Sequence, residues 1–581
     1  MAPGPTHMKW WGWGDEQTEF DISDKPELWP FIRESVGITG EETRTPPISF
    51  DDVSLPLART NPAFRAALGG SLSGDRFFTS KRERLVHAYG KSFRDLWRIR
   101  RGIVEAAPDG VIYPETEAEV ATLVAAAVDH DVVLIPFGAG SNIAGCVEAA
   151  HDESRMVVVL DLRRMDRVLE LDTVSGTARI QAGVMGPHME QQLNAQGFTL
   201  GHFPDSFLFS TLGGWIATRS AGMQSDRYGK IEDMVVALRM VTPSGTIETR
   251  TVPRSSNGID VKHFCIGSEG TLGVITEAIM QVHRIPEVRL PYGYLFPDFE
   301  QGVHAIRACV EADCIPTVTR LNDPAKTALS FAYKTAAPPF KALLGKVVKN
   351  YLKRVKHFDF SRSALMLNVF EGDRHTCPEL HRRVSEIYRR HGGFALGTEP
   401  GRSFERGKYD FPYLRDWVMD RNMMADVSET ATVWSNMLPL YHSTLTAIES
   451  AIRRTGVKPY VGCHISHAYR TGASLYFTFG CLQQPDRGLE QYLYIKKAAE
   501  DSFLAGGATL SHHHAVGTEH LPWITDDISP AGVTAVRALK EGLDPRAIMN
   551  PGKILPSERP LEAWGLAEPV VSAFDRGGSS S

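Results

Sequence analysis

The sequence predicts an α/β domain over residues 106–285 and an α+β domain over 286–555, with an N-terminal helical region, 1–105, and a loose tail, 556–581. Three observations predict it. Short, wholly apolar runs, Val132-Val133-Leu134-Ile135 and Val157-Val158-Val159-Leu160, have the pattern of strands buried on both faces. Segments of helical period alternate with them, as α/β layers require. The texture changes after Pro286, and 581 residues are too many for one core.

Residues 1–50 are rich in Trp, Pro and acids and have little periodicity. The run Trp10-Trp11-Gly12-Trp13-Gly14 reads as a tail clamped by aromatic burial, in preference to a ligand contact. Asp51 to Gly102 looks helical. Arg94, Arg98 and Arg101 recur there at helical spacing, which reads as a solvated face. Val111 to Pro114 is a short strand. Glu115 to Asp129 is a helix with Val120, Leu123, Val124 and Val128 on one face. Further strands fall at 132–135, 157–160, 177–181 and 235–242, the last closed by the turn Pro243-Ser244-Gly245. Beyond Pro286, Ser474 to Phe479 alternates as a half-buried strand, so Tyr476 shares a face with Ser474 and Thr478. No internal repeat is found.

Composition narrows the function. Hydrophobic residues make up 43% and charged residues 23%, the mix of a soluble globular protein. The net charge of −6 supplies no basic field, so no nucleic-acid partner is expected. Seven cysteines without a CxxC pair read as reduced thiols in a cytosol-like compartment. Met1 to Asp15 is polar and does not read as an apolar leader, and no membrane-spanning run is expected. The end, Gly-Gly-Ser-Ser-Ser, is not a peroxisomal tripeptide. The expected location is cytoplasmic with peripheral membrane association, because Phe340 to Lys356 fits a basic amphipathic helix. Its competing reading is a helix facing its own core.

The loop Pro136-Phe137-Gly138-Ala139-Gly140-Ser141-Asn142 follows a buried strand. A Rossmann fingerprint needs a third glycine three positions on, opening a helix; Ile143 stands there, and the helix precedes the strand. NAD in a Rossmann fold is therefore excluded. Glycines still let successive N–H groups curl around an anion. Two later segments are equally dense in small residues: Asp205-Ser206-Phe207-Leu208-Phe209-Ser210-Thr211, running on to Thr218-Arg219-Ser220-Ala221, and Glu269-Gly270-Thr271-Leu272-Gly273-Val274-Ile275. Together the three resemble the FAD domain of the vanillyl-alcohol oxidase superfamily. The resemblance implies a two-subdomain FAD-binding domain with an α+β substrate (cap) domain, and it places these segments along the pyrophosphate, ribityl chain and isoalloxazine. The phosphate loop has no histidine, so noncovalent FAD is expected.

The likeness sharpens. Lys9 to Gly14, Pro204 to Met223, Gly229 to Asp233, His263 to Glu277, Arg320 to Asp323, Tyr413 to Asp416, Ser428 to Thr430 and Ser511 to Gly517 are similar to the alkyldihydroxyacetonephosphate synthase family. That family exchanges the acyl chain of acyl-dihydroxyacetone phosphate for a fatty alcohol, with flavin N5 holding the dihydroxyacetone phosphate unit and no net redox change. The resemblance puts the catalytic tyrosine at Tyr476 and makes His512, His513, His514 and Arg320 active-site residues, with Arg415 gripping substrate. Guanidinium forks suit a phosphate or carboxylate head on a long acyl or alkyl chain. Three consecutive histidines can bind metal, carry protons or hold phosphate; on a strand, His512 and His514 would point one way and His513 the other. A homodimer is expected.

Met549 to Lys553 and His464-Ile-Ser-His467 are closer to FAD-linked 2-hydroxyacid dehydrogenases of the D-lactate and glycolate type. There the H-x-x-H pair belongs to a metal site with a later glutamate. Here Tyr469 to Gly472 and His513-His514 replace its other parts, so no metal is expected and the dehydrogenase is the alternative reading.

Overall fold

The computed structural model describes residues 7–41, 43–335 and 350–577. Three sheets organise it. In the first, Gly110–Ile112, Val157–Asp161 and Val133–Phe137 run parallel, with the short strand Phe77–Phe78 antiparallel at one edge. The helix Glu117–His130 returns the chain between two of these strands, N-capped by the Thr116 hydroxyl and closed by Asp131 in the left-handed region. The second sheet is antiparallel, in the order 168–172, 177–181, 274–281, 235–242, 245–248. These two sheets form the first half, where the alternating pattern led to an α/β domain.

The other half is a seven-stranded antiparallel sheet ordered 394–397, 288–296, 364–372, 318–322, 460–468, 472–482, 423–433. The helices Phe299–Glu311, Thr376–Arg390, Met437–Arg454 and Gly488–Ala505 cover it and share its core, which includes Tyr294, Phe370, Phe477 and Phe503. The alternation read over Ser474 to Phe479 holds: Leu475, Phe477 and Phe479 are buried in that core, while Tyr476 and Thr478 border a cavity.

Three expectations change, and a fourth falls mostly beyond the described residues. Arg94 and Arg98 are not on a solvated face. Arg98 is 3% exposed, donates to Glu148 at 2.6 Å and Asp95 at 3.0 Å, and lies 4.3 Å over the Tyr89 ring. Arg94 donates to the Thr518 hydroxyl at 3.1 Å. Helical spacing cannot tell a charged face in water from one meeting buried carboxylates. The tail after 555 is not loose: Trp564, Leu566 and Phe574 are buried, and Trp564 meets Trp523 edge-on at 5.1 Å. The end of the second region returns to the first. Ile548 and Met549 sit in the core of the first half, and Leu134 N donates to the Ile548 carbonyl at 2.8 Å. Last, the proposed membrane helix lies mostly outside the described residues. Its described end, helical from Asn350 to Arg354, buries Leu352 among Phe358, Leu365 and Leu367.

All seven cysteines are free and buried. No described helix is long and apolar enough to cross a membrane. The Trp run behaves as a clamp: Trp10 is buried in the core, and the Trp13 N–H donates to the Asp416 carboxylate.

Glu148 is 2% exposed; Arg98 meets it at 2.6 Å, with His151 at 3.0 Å and Arg94 at 4.0 Å beside the pair. Arg98→Met should therefore lower the unfolding free energy by about 3–5 kcal/mol, the cost of breaking a buried pair by removing one partner. Denaturant titration measures this. A loss below about 1 kcal/mol, the scale of a surface pair, would contradict the assignment.

Candidate active site between the two sheets

A cavity of about 400 Å³ lies where the halves meet. Its flavoprotein wall contains Pro136, Phe137, Gly138, Ala139, Gly140, Ser141 and Asn142, together with Asp205, Ser206, Ser210, Thr211, Thr218, Ser220, Ala221, Glu269, Gly270, Gly273 and Ile275. The loop is shaped by what its glycines leave out. A Cβ on Gly138 would sit 2.2 Å from the Thr211 hydroxyl, and Gly140 has φ 71°, against the Phe137 ring. The N–H groups of Gly138 through Ile143 have no acceptor among the described residues. Six adjacent unmatched donors lining a cavity form an anion nest, which fits a pyrophosphate.

Seven expected cofactor residues do not line this wall. Phe207 packs against Phe203 and Trp215. Leu208 points toward solvent at 36% exposure, and Phe209 meets Trp13. Arg219 is half-exposed and 3.8 Å from Glu232. Thr271 donates to the Ser268 carbonyl, while Leu272 and Val274 fill the core. The motifs were read as continuous runs, but strand and helix geometry turns only some of their residues toward a ligand.

The opposite wall is one face of the seven-stranded sheet. Three rows cross it in register: His464, Tyr476 and Glu429; then Gly462, Thr478 and Val427; then Tyr460, Gly480 and Ala425. The first row is polar. The last opens into an apolar arm walled by Phe31, Ile32 and Val36 of the helix Leu28–Val36, by Leu329, and by Phe411, Leu414 and Val418 of the helix Phe411–Met419.

The histidines are not on a strand. Ser511 to His514 is a loop wrapped around the Glu429 carboxylate. The Ser511 hydroxyl donates to it at 2.6 Å, and the N–H groups of His512, His513 and His514 donate at 2.9 to 3.0 Å. The side chains then fan toward Tyr476: His513 stacks at 5.8 Å and His514 meets its edge at 5.3 Å. His512 Nδ1 lies 3.0 Å from His513 Nδ1, and its Nε2 contacts the Tyr469 hydroxyl. Burial raises the Glu429 pKa, but His513, His514 and the donated hydrogen bonds outweigh it and hold the carboxyl well below its usual range. Burial, reinforced by His513, lowers His512 and His514 well below the ordinary imidazole value. Burial pushes Tyr476 well up, helped by Asp205 and Glu429, so its phenol keeps its proton. Ring nitrogens of His467, His512 and His513 lie within 4.8 Å of one another, close enough to share a proton or a cation.

Arg320 lines the cavity, and its side chain makes no hydrogen bond or ion pair among the described residues; its guanidinium lies 5.6 Å from the Phe404 ring. Arg415 also lines it, but its fork is not free. Nε and Nη2 donate to Asp416 at 3.2 and 3.1 Å, and Nη1 donates to the Lys91 carbonyl. The expected clamp is engaged by its sequence neighbour. Sequence reasoning missed two residues. Glu429 was visible as an acid in a mostly apolar and hydroxylated strand that also holds Asp426, whereas nothing in the pattern turns Lys326 inward. Lys326 is 4% exposed and donates to the Thr478 hydroxyl at 2.9 Å.

These features define a flavoprotein of the FAD-linked oxidase type. The FAD binding domain family matches residues 108–250, and the family of FAD linked oxidases, C-terminal domain, matches 285–554. The chain is 40% identical to an alkyldihydroxyacetonephosphate synthase of Dictyostelium discoideum, covering 95% of this chain and 94% of the relative. The synthase of Trypanosoma brucei brucei is 37% identical, covering 95% and 92%. A solved structure of an alkyldihydroxyacetonephosphate synthase superposes with a TM-score of 0.82 at 38% identity, over 94% of this chain and 99% of that one. The chain belongs to the alkyldihydroxyacetonephosphate synthase family and is an FAD-dependent enzyme.

Glu429→Gln puts an amide NH₂ among donating N–H groups. Turnover should fall by at least about 100-fold, roughly 3 kcal/mol, as the loop loses its anchor, while bound FAD, read from the visible spectrum, is retained. The pH sign follows from the depressed carboxyl: the stability it contributes is complete above the usual carboxylate range and is lost as pH falls through the folded value. Wild-type turnover in the variant would remove Glu429 from the account.

Proposed function

We propose that the chain is a transferase that exchanges the acyl chain of acyl-dihydroxyacetone phosphate for a fatty alcohol, forming an alkyl ether. The observation that carries this reading is one cavity with three chemically different parts: an anion nest, a Tyr–His centre and an apolar arm. A small hydroxy acid has no use for the arm. A long chain does, since burying it gains about 25 cal/mol per Å². The names of the most similar relatives support the same substrates.

When bound, FAD supplies the atom that carries the dihydroxyacetone phosphate unit between the two chains. Pro136 to Asn142, Thr211 and Gly270 would hold it. The Tyr476 phenol, protonated and without a hydrogen-bond partner among the described residues, donates to the departing carboxylate. His513 and His514, set against Tyr476 by the Glu429 loop, take and return the proton beside the ketone. His512 orients His513 through their 3.0 Å contact. Arg320 offers its unpaired guanidinium to the phosphate. Arg415 acts from the wall, bracing Asp416 and Lys91.

Holoenzyme given acyl-dihydroxyacetone phosphate and a fatty alcohol should release fatty acid and ether in equal amounts with no electron acceptor. D-Lactate and glycolate should leave the flavin oxidised; bleaching by either, with no chain exchange, would establish the dehydrogenase instead. Tyr476→Phe should keep its FAD and lose about 10²–10⁴ in turnover, the range of a positioned proton donor. Acid precipitation should release the FAD, because the nest offers no histidine for attachment. Flavin kept in the pellet would contradict this.

A further inference from the structure

Lys326 lines the cavity, and the mechanism above gives it no role. It opens the helix Pro324–Ala332, where its N–H donates to the N-cap Asp323 at 2.8 Å. Its side chain turns back across the sheet. The stem lies over Gly462, where a Cβ would come within 2.9 Å of Lys326 Cγ. Gly462 is the register partner of Thr478, whose hydroxyl accepts from Lys326 Nζ at 2.9 Å. The ammonium makes no ion pair among the described residues, and it lies 5.1 Å over the Phe411 ring at the wall of the arm. It has three donors and one fixed acceptor, so two N–H bonds remain to be satisfied in a site that is 4% exposed.

Its place on the sheet says what it can meet. The Thr478 row lies between the polar Tyr476 row and the Gly480 row that opens into the apolar arm. Alternate residues of a strand are about 6.7 Å apart, so Nζ stands roughly one row from the Tyr476 ring. A chain lying in the arm with its reactive end toward Tyr476 brings its head oxygen past this point. Resting on the transferase reading, we propose that Lys326 holds the oxygen head of the long chain at the neck of the arm: the carboxylate of the fatty acid as it leaves and the hydroxyl of the alcohol as it arrives. Burial, with Arg320 nearby, lowers the Lys326 pKa to about 7, so a departing anion finds a cation that gains from pairing.

The test uses holoenzyme, with palmitate and free dihydroxyacetone phosphate titrated separately by calorimetry and the KM for hexadecanol measured alongside. Lys326→Met keeps the stem and removes the charge. It should weaken palmitate and raise the hexadecanol KM by about tenfold, the scale of one charge-assisted hydrogen bond, with kcat changed far less. Lys326→Arg should restore most of the loss. Thr478→Val, which frees Nζ from its anchor, should weaken palmitate severalfold and serves if the methionine variant does not fold. Dihydroxyacetone phosphate should bind all three variants as it binds wild type. Unchanged palmitate and hexadecanol parameters overturn the proposal, as does a loss confined to dihydroxyacetone phosphate, which would make Lys326 a phosphate contact. A wild-type enzyme that exchanges no chains refutes the transferase reading itself. An active wild type with indifferent variants refutes only the role of Lys326.

Discussion

The Glu429 carboxylate, buried and ringed by N–H and O–H donors, fixes the loop on which the active site depends. One charged group on the strand Met423–Val433 accepts from Ser511, His512, His513 and His514. The same loop is tied to the flavoprotein half by a second buried carboxylate. Glu269 accepts from Val516 N at 2.7 Å and Gly517 N at 2.8 Å. The stretch 511–517 thus spans the joint between the halves with a carboxylate at each end. Buried carboxylates are costly unless each oxygen is satisfied. Here the backbone supplies that satisfaction, and in return the loop has little freedom to move.

This arrangement sets where everything else must stand. Tyr476 reaches the histidines because it is the register partner of Glu429, so the strand pairing that positions the carboxylate also positions the phenol. Thr518 N donates to the Ala144 carbonyl, carrying the loop to the end of the flavin nest. Arg94, from the N-terminal helix Phe93–Ile99, reaches the Thr518 hydroxyl and ties that helix to the same joint. The polar centre is held from three directions, while the arm beyond Gly480 is apolar and can accept chains by burial alone.

Much of this was legible in the sequence. The strands read at 132–135 and 157–160 were visible because both of their faces are apolar, the one at 235–242 by the turn that closes it, and Gly138 and Gly140 because the backbone there tolerates no side chain. Tyr476 followed from simple alternation. What was not legible depended on long-range partners. The three histidines look like a strand until Glu429 is placed beside them. Arg98 looks solvated until Glu148, fifty residues away, arrives at 2.6 Å. Arg415 looks like a free clamp because its engagement by Lys91 comes from a distant segment. The return of Met549 to pair with Leu134 leaves no local trace at all. Periodicity reports which face is apolar and says nothing of which buried charge will meet which donor.

The measurement closest to the central claim is amide hydrogen exchange on the holoenzyme, followed over 511–517. The residues are loop by conformation, and Ala515 even carries φ 75°. Held by Glu429 and Glu269, the N–H groups of His512, His513, His514, Val516 and Gly517 should exchange on the slow timescale of the sheet core and open only with larger unfolding. Exchange as fast as that of the exposed loop 253–259 would show that the carboxylates do not hold the loop, and the geometry proposed for Tyr476 and the histidines would lose its support.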